Sequence, residues 1–223
     1  MPRGRRIIPH RRVREGKTDY RQRLKLVRSG KSRLVVRRAN KNMSCQIVNF
    51  DKKSDKTLIS ASSAELANFG WNANTGNIPA AYLTGLLCAV RAKSHGIKEA
   101  IPDIGFFEAH HGSRVFSVLK GAIDGGLEIP HNDDAFPPKD RMNGTHIASY
   151  ASELKKGDKA KYEKYFSSYI KANIDPETIA KLFETVKSNV ISDGSSKEKK
   201  TKAETPKKTD KKAPKAKKEP EKE

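Results

Sequence analysis

Asp51, Glu65, Asp103 and Asp124 are the carboxylates of the central part of the chain to weigh for catalysis. On an α/β sheet, such groups could hold a pair of cations for phosphodiester cleavage. Their local settings argue otherwise. Asp51 falls in a polar turn, and Asp124 ends a helical pattern ahead of Gly125-Gly126. Glu65 follows Ser62 at the spacing of a capping box. The first strand candidate, RLVVRR, carries arginines where a nuclease would need an acid. Asp103 alone has no such explanation. His110 and His111 are neighbours, so they point apart on any regular element. No Cys or carboxylate joins them at i+3 or i+4. Ser117 and Lys120 have the spacing of one serine acyl-transfer element, but its companion elements are missing. Neither GxGxxG nor GxxxxGK[ST] occurs, so a nucleotide has no cradle. The sequence predicts no enzyme, no metal, no cofactor and no small-molecule substrate.

The stronger signal is basic and aromatic. Residues 1–40 hold 15 basic and 2 acidic side chains, net +13, including Arg5, Arg6, Arg11, Arg12, Arg14, Lys17, Arg21, Arg23 and Arg28. Arginine outnumbers lysine there, which favours forked hydrogen bonds to phosphate and stacking on bases. Thr18 and Tyr20 lie within this stretch. Glu15 and Asp19 interrupt the positive field and are expected to fix its geometry by local pairing or helix capping. Two polar loops add to the binding candidates. Asn74, Thr75 and Asn77 enter a long helical pattern after Trp71, while Ser113 and Arg114 open a second one. A helix N-terminus suits a phosphate, but the same residue types cap helices, and the sequence leaves both readings open.

These residues need elements to position them. From Thr18 the arm turns helical, with Tyr20, Leu24 and Val27 able to share one face and Arg21, Lys25 and Arg28 the other. Gly30 is the stop. The first seventeen residues show no periodicity and are expected to order on a partner. Residues 33–38 and 43–50 are β-branched runs split by Asn40-Lys41-Asn42, and residues 57–61 follow a second polar turn. This is an antiparallel meander. A short capped helix ends near Gly70, and a long apolar helix spans residues 77–95. Residues 99–105 read as a strand that Pro102 confines to an edge or a bulge. An amphipathic helix over 113–124 turns Val115, Phe116, Leu119, Ala122 and Ile123 inward. The fold class is α/β, a mixed sheet with packed helices. Residues 131–191 read as a helical extension on a Pro-rich connector, with helical periodicity over 144–154 and 159–172 and a helix start at Asp175-Pro176-Glu177. Residues 192–223 have the composition of a disordered Lys/Pro/Glu-rich tail.

Composition sets the outer bounds. The chain has 223 residues and a net charge of +20, with a pI near 9.9, which favours a polyanionic partner. Residues 41–191 are nearly neutral at net +2, so a balanced globule carries a basic arm and tail. Cys45 and Cys88 cannot form a disulfide framework and read as buried residues of a reducing compartment. The longest apolar run, residues 78–90, is shorter than the roughly 20 residues of a bilayer span, and residues 1–12 lack a secretory apolar region. A soluble intracellular protein is expected.

Five stretches carry a resemblance: RRVREGKTDYRQRLKL, RLVVRRANKNMSCQIV, ELANFGWNANTGNIPAAYLTGLLCAVRAK, GSRVFSVLKGAIDGGLEIPH and RMNGTHIASYA. Across residues 11–150, and more weakly to about 190, the chain resembles the archaeal form of the universal large-subunit ribosomal protein eighteen family, whose eukaryotic counterpart is large-subunit protein five. That resemblance implies a ribonuclease-H-like α/β sandwich without nuclease carboxylates. It also implies a cytoplasmic protein of the large ribosomal subunit that binds 5S rRNA and helps anchor it in the central protuberance. Further partners would be 23S rRNA and neighbouring central-protuberance proteins. It assigns RNA contact to Arg11, Arg12, Arg14, Lys17, Thr18, Tyr20, Arg21 and Arg23, and extends it to Arg37, Arg38, Asn40 and Asn42. Asn74, Thr75, Asn77, Gly112, Ser113 and Arg114 match the family's loops. The alternatives are a general basic nucleic-acid binder and a metal-dependent nuclease of the same fold.

Overall fold

The computed structural model describes residues 8–51 and 54–193. In chain order its elements are helices α1 (Arg11–Arg14) and α2 (Tyr20–Arg28), then strands β1 (Arg33–Arg38), β2 (Met43–Phe50) and β3 (Asp55–Ser62). Helix α3 (Ile78–Ser94), strand β4 (Ile101–Asp103) and helix α4 (Arg114–Asp124) complete the central part. Helices α5 (Lys139–Asn143), α6 (Thr145–Gly157), α7 (Lys159–Tyr165), α8 (Ser167–Lys171) and α9 (Ile179–Asp193) follow.

The sheet runs β3-β2-β1-β4, antiparallel except for the parallel β1–β4 pair. Its inner face presents Leu34, Val36, Met43, Cys45, Ile47, Ile59 and Ala61, all buried, to α3 and α4. Helix α3 is apolar around most of its girth because the sheet covers one side and α4 and α9 cover others. Helices α3 and α4 cross in backbone contact. A Cβ added to Gly85 would lie 2.0 Å from the Val118 carbonyl oxygen, and one on Gly121 would lie 2.1 Å from that of Tyr82. Val118, absent from the face predicted for α4, is fully buried at this crossing, whereas Phe116 and Ile123 are only half-buried.

Pro102 sits in β4 opposite Leu34. The Ile101 amide donates to the Ser32 carbonyl at 2.9 Å, toward β1. In an extended strand the next amide points the other way, so the donor that proline lacks is the one facing the open edge. Pairing with β1 therefore loses nothing.

Strand β3 begins at Asp55, two residues before the sequence pattern starts, and it contains a bulge. Ile47 pairs with Ile59 but Val48 pairs with Thr57, so Leu58 is skipped. One extra residue inverts the alternation beyond it. Asp55 and Thr57, in place of Lys56 and Leu58, then share the outer face with Gln46 and Val48.

The segment 131–191 divides. Ile179, Phe183, Val186 and Val190 of α9 belong to the same hydrophobic cluster as α3, and Asn189 Nδ2 donates to the Phe69 carbonyl at 3.0 Å. Helices α7 and α8, expected as one, break at Phe166, whose buried ring meets those of Tyr150, Tyr162 and Tyr169. Cys45 and Cys88 are buried, and the Cys45 thiol is pushed up by hydrogen bonding with Cys88 and by desolvation. Among the described residues, no helix is long and apolar enough to cross a membrane. The tail from residue 194 onward, expected to be disordered, lies outside the described residues.

Candidate RNA interface

The arm has more local order than its sequence pattern suggests. Arg11–Arg14 forms one helical turn, and Glu15 then bridges Arg11 Nε at 2.6 Å and Lys17 Nζ at 2.7 Å. Those hydrogen bonds hold its carboxyl below the usual carboxylate value. Arg12 Nε donates to Thr18 Oγ1 at 2.9 Å, which buries Thr18. Asp19 is the N-cap of α2, its Oδ1 accepting from the amides of Arg21 and Gln22 at 2.9 and 3.2 Å. Both acidic residues of the arm thus work locally, as their placement suggested.

The face that α2 turns to the sheet differs from the expected one. Tyr20 and Leu24 point to solvent, 40% and 59% exposed, and Arg23, Leu26 and Val27 are the half-buried positions. An ion pair explains the choice, since Arg23 reaches Asp55 at 2.9 Å. From there charges alternate along the outer sheet face. Asp55 pairs with Arg33 at 2.7 Å, Arg33 with Asp103 at 3.1 Å, and Asp103 with Arg37 at 3.1 Å. Between arm and sheet lies a cleft of about 290 Å3 whose lining includes Arg12, Lys17, Thr18, Arg23 and Arg37. Arg33, Asp55 and Asp103 complete the network, although none of them stands out in the sequence as part of the RNA-binding set. The signal was present for Arg33: in RLVVRR it shares strand parity with Arg37.

Three of the carboxylates weighed for metal binding, Asp103, Glu65 and Asp124, are occupied by the protein. Asp103 accepts from two guanidinium groups and, through Oδ1, from the Gly105 amide at 3.0 Å. Glu65 closes the capping box with Ser62 and pairs with Arg91 at 2.8 Å. Asp124 accepts from the Tyr82 hydroxyl at 2.8 Å, and burial together with this bond pushes the phenol well above its usual value. Among the described residues no three His, Cys, Asp or Glu side chains group as metal ligands.

A second cluster forms at the β1–β2 turn. The Thr75 hydroxyl lies 2.7 Å from the Lys41 carbonyl and 2.8 Å from the Asn42 side-chain oxygen, pinning the Asn-rich loop to the hairpin. Arg114 donates to the Gly76 carbonyl at 2.8 Å and reaches the Ala39 carbonyl at 3.4 Å. Asn77 caps α3 through the Ala80 amide, Asn74 closes a turn through the Gly76 amide, and Trp71 is core. Ser113 occupies the N-cap position of α4 without a side-chain capping bond. This loop therefore uses much of its hydrogen-bonding capacity internally, while Asn40, Lys41, Asn42 and Asn74 remain exposed. The structure brings Arg38, Asn40, Asn42, Asn74, Thr75, Asn77, Ser113 and Arg114 to one end of the sheet, apart from the arm. Arg5 and Arg6 lie outside the described residues.

The profile of the family described as "Ribosomal large subunit proteins 60S L5, and 50S L18" matches residues 5–101 and 92–132. Large ribosomal subunit protein uL18 of Methanococcus maripaludis is 45% identical over 184 residues, covering 82% of this chain and 95% of that protein. The chain belongs to this family of large-subunit ribosomal proteins. Its α/β sheet with packed helices is the family's fold, and ribosomal RNA is its class of partner. Every RNA-contact residue expected from the sequence falls inside the matched segment, which also contains the arm helices, the whole sheet, α3 and α4.

Proposed function

We propose that this large-subunit protein binds 5S rRNA through its arm and the hairpin end of its sheet, and so helps anchor that RNA in the central protuberance beside 23S rRNA and neighbouring proteins. It works in the cytoplasm as a structural, non-catalytic part of the subunit. The observation that carries this reading is the division of labour among the arginines. Arg23, Arg33 and Arg37 are held by Asp55 and Asp103. Arg14, Arg21 and Arg28 are exposed and make no ion pair among the described residues. The first group sets the arm against the sheet, and the second offers free guanidinium groups to a folded phosphate backbone. RNA shape and unpaired bases would then supply specificity.

The test is binding to 5S rRNA at rising salt with excess unrelated tRNA as competitor. If about eight phosphates are engaged, log affinity falls against log salt with a slope of about −6 to −7. A slope near −2, or binding erased by tRNA, would leave only a general polyanion binder.

A further inference from the structure

Beyond the arm and the polar loops, the loop after β4 places two aromatic rings in succession, Phe106 and Phe107. Phe106 is 48% exposed, lies outside the hydrophobic core and makes no ring contact among the described residues. A single exposed apolar side chain is ordinary. What distinguishes this one is its seat. Asp103 Oδ1 accepts from the Gly105 amide at 3.0 Å. Arg37 donates to the carbonyls of Val36 and Asp103 at 2.8 and 2.7 Å. Gly105 has φ +68°, and a Cβ there would lie 3.0 Å from Arg37 Cζ. The chain thus turns tightly over an immobilised guanidinium and delivers Phe106 from a rigid support. Next to it, the Arg38 guanidinium stacks over the Phe107 ring with Cζ 4.7 Å from the centroid. Arg114 reaches the carbonyl of Ala39, the residue that follows Arg38, and exposed Lys41 lies in the same turn. The acidic side chain in this loop, Glu108, stands 2.8 Å from His110 Nε2.

We infer that Phe106, beside the Arg38–Phe107 stack, is a docking platform for one unpaired base of the 5S rRNA, with Arg38 and Arg114 meeting the flanking phosphates. This rests on the 5S reading above. The surroundings select the occupant. The Arg38 guanidinium lies over the neighbouring Phe107 ring, and Arg114 and Lys41 bring further cations to the turn that follows Arg38, which suits a flat aromatic base on a polyanionic chain and not the broad apolar surface of a protein partner. Base–aromatic stacking needs an accessible ring on an anchored backbone with cations nearby for the phosphates, and the Gly105 turn with Arg38 and Arg114 supplies these.

The test compares Phe106→Ala, Phe106→Trp, Arg38→Ala and an arm variant (Arg14, Arg21 and Arg28 all to Ala) for affinity, salt dependence and chemical probing of unpaired nucleotides in 5S rRNA. Phe106→Ala should weaken binding about ten- to hundredfold with an unchanged salt slope. It should also expose at least one nucleotide that the native protein protects. Phe106→Trp should restore both affinity and protection, while Arg38→Ala should make the slope shallower by about 0.7–0.9. Phe106 is exposed, so thermal melting should not move. Native affinity and an unchanged footprint in Phe106→Ala, with the arm variant weakened, would overturn the platform and leave the 5S reading standing. If the arm variant also binds like the native chain, the 5S reading falls with it.

Discussion

Arg33 and Asp103 meet at 3.1 Å on the outer face of the sheet, with 4% and 9% of their side chains exposed. Charges so far from water are stable only in company, and these have it: Arg33 also pairs with Asp55 and Asp103 with Arg37. Replacing Asp103 with Ala would leave Arg33 with Asp55 alone, remove the carboxylate from Arg37 and free the Gly105 turn. Breaking one side of such a pair costs about 3–5 kcal/mol. Urea unfolding of Asp103→Ala should show that loss, and a change below about 1 kcal/mol would mean that Asp55 and water together suffice for Arg33.

The crossing of α3 and α4 makes a harder demand. At Gly85 and Gly121 an added methyl group would overlap backbone atoms of the opposite helix, which cannot rotate away as a side chain could. Either Gly→Ala change should destabilise by about 3 kcal/mol or more, at the upper end for overpacking. Calorimetric melting of each variant measures it, and a native-like midpoint would mean that the helices separate easily.

The Glu15 bridge should respond to acid. Its hydrogen bonds to Arg11 and Lys17 keep the folded carboxyl below its ordinary value. Its contribution is therefore complete above the unfolded-chain value and disappears as pH falls through the lower, folded one. Amide signals of α1 in NMR should hold steady through mildly acidic pH and shift only below the usual carboxylate range. In Glu15→Gln the change should already be present at neutral pH.

Salt dependence should separate the two groups of arginines. Arg14→Ala, Arg21→Ala and Arg28→Ala should each make the slope of 5S rRNA binding shallower by about 0.7–0.9. Arg23→Ala should leave the slope nearly unchanged, because that guanidinium is engaged with Asp55. Equal effects across both groups would show that RNA opens the arm–sheet network on binding.

Much of the fold was legible because local chemistry and global packing agree. The β-branched runs RLVVRR and MSCQIVNF, the Ser62–Glu65 box and the long apolar pattern over residues 77–95 each correspond to the element observed. Where a distant partner decided the outcome, pattern reading lost its hold. The apolar stripe of Tyr20 and Leu24 faces water because Arg23 finds Asp55, 32 positions away. That meeting depends on the skipped Leu58, which no alternation announces. The polar loops were ambiguous for another reason. Asn, Thr and Ser offer the same groups to a phosphate as to a helix end, and the sequence does not show which arrives first.

The open edge at β4 has one more consequence. A ribosomal protein exists free in solution before it meets its RNA, and an edge strand with unpaired amides can recruit another chain into amyloid-like stacking. Strand β4 spans only three residues, and proline occupies the position whose donor would face outward. A neighbouring chain finds no ladder to extend there. Pro102 thus acts against self-association before assembly, by the absence of a single hydrogen atom.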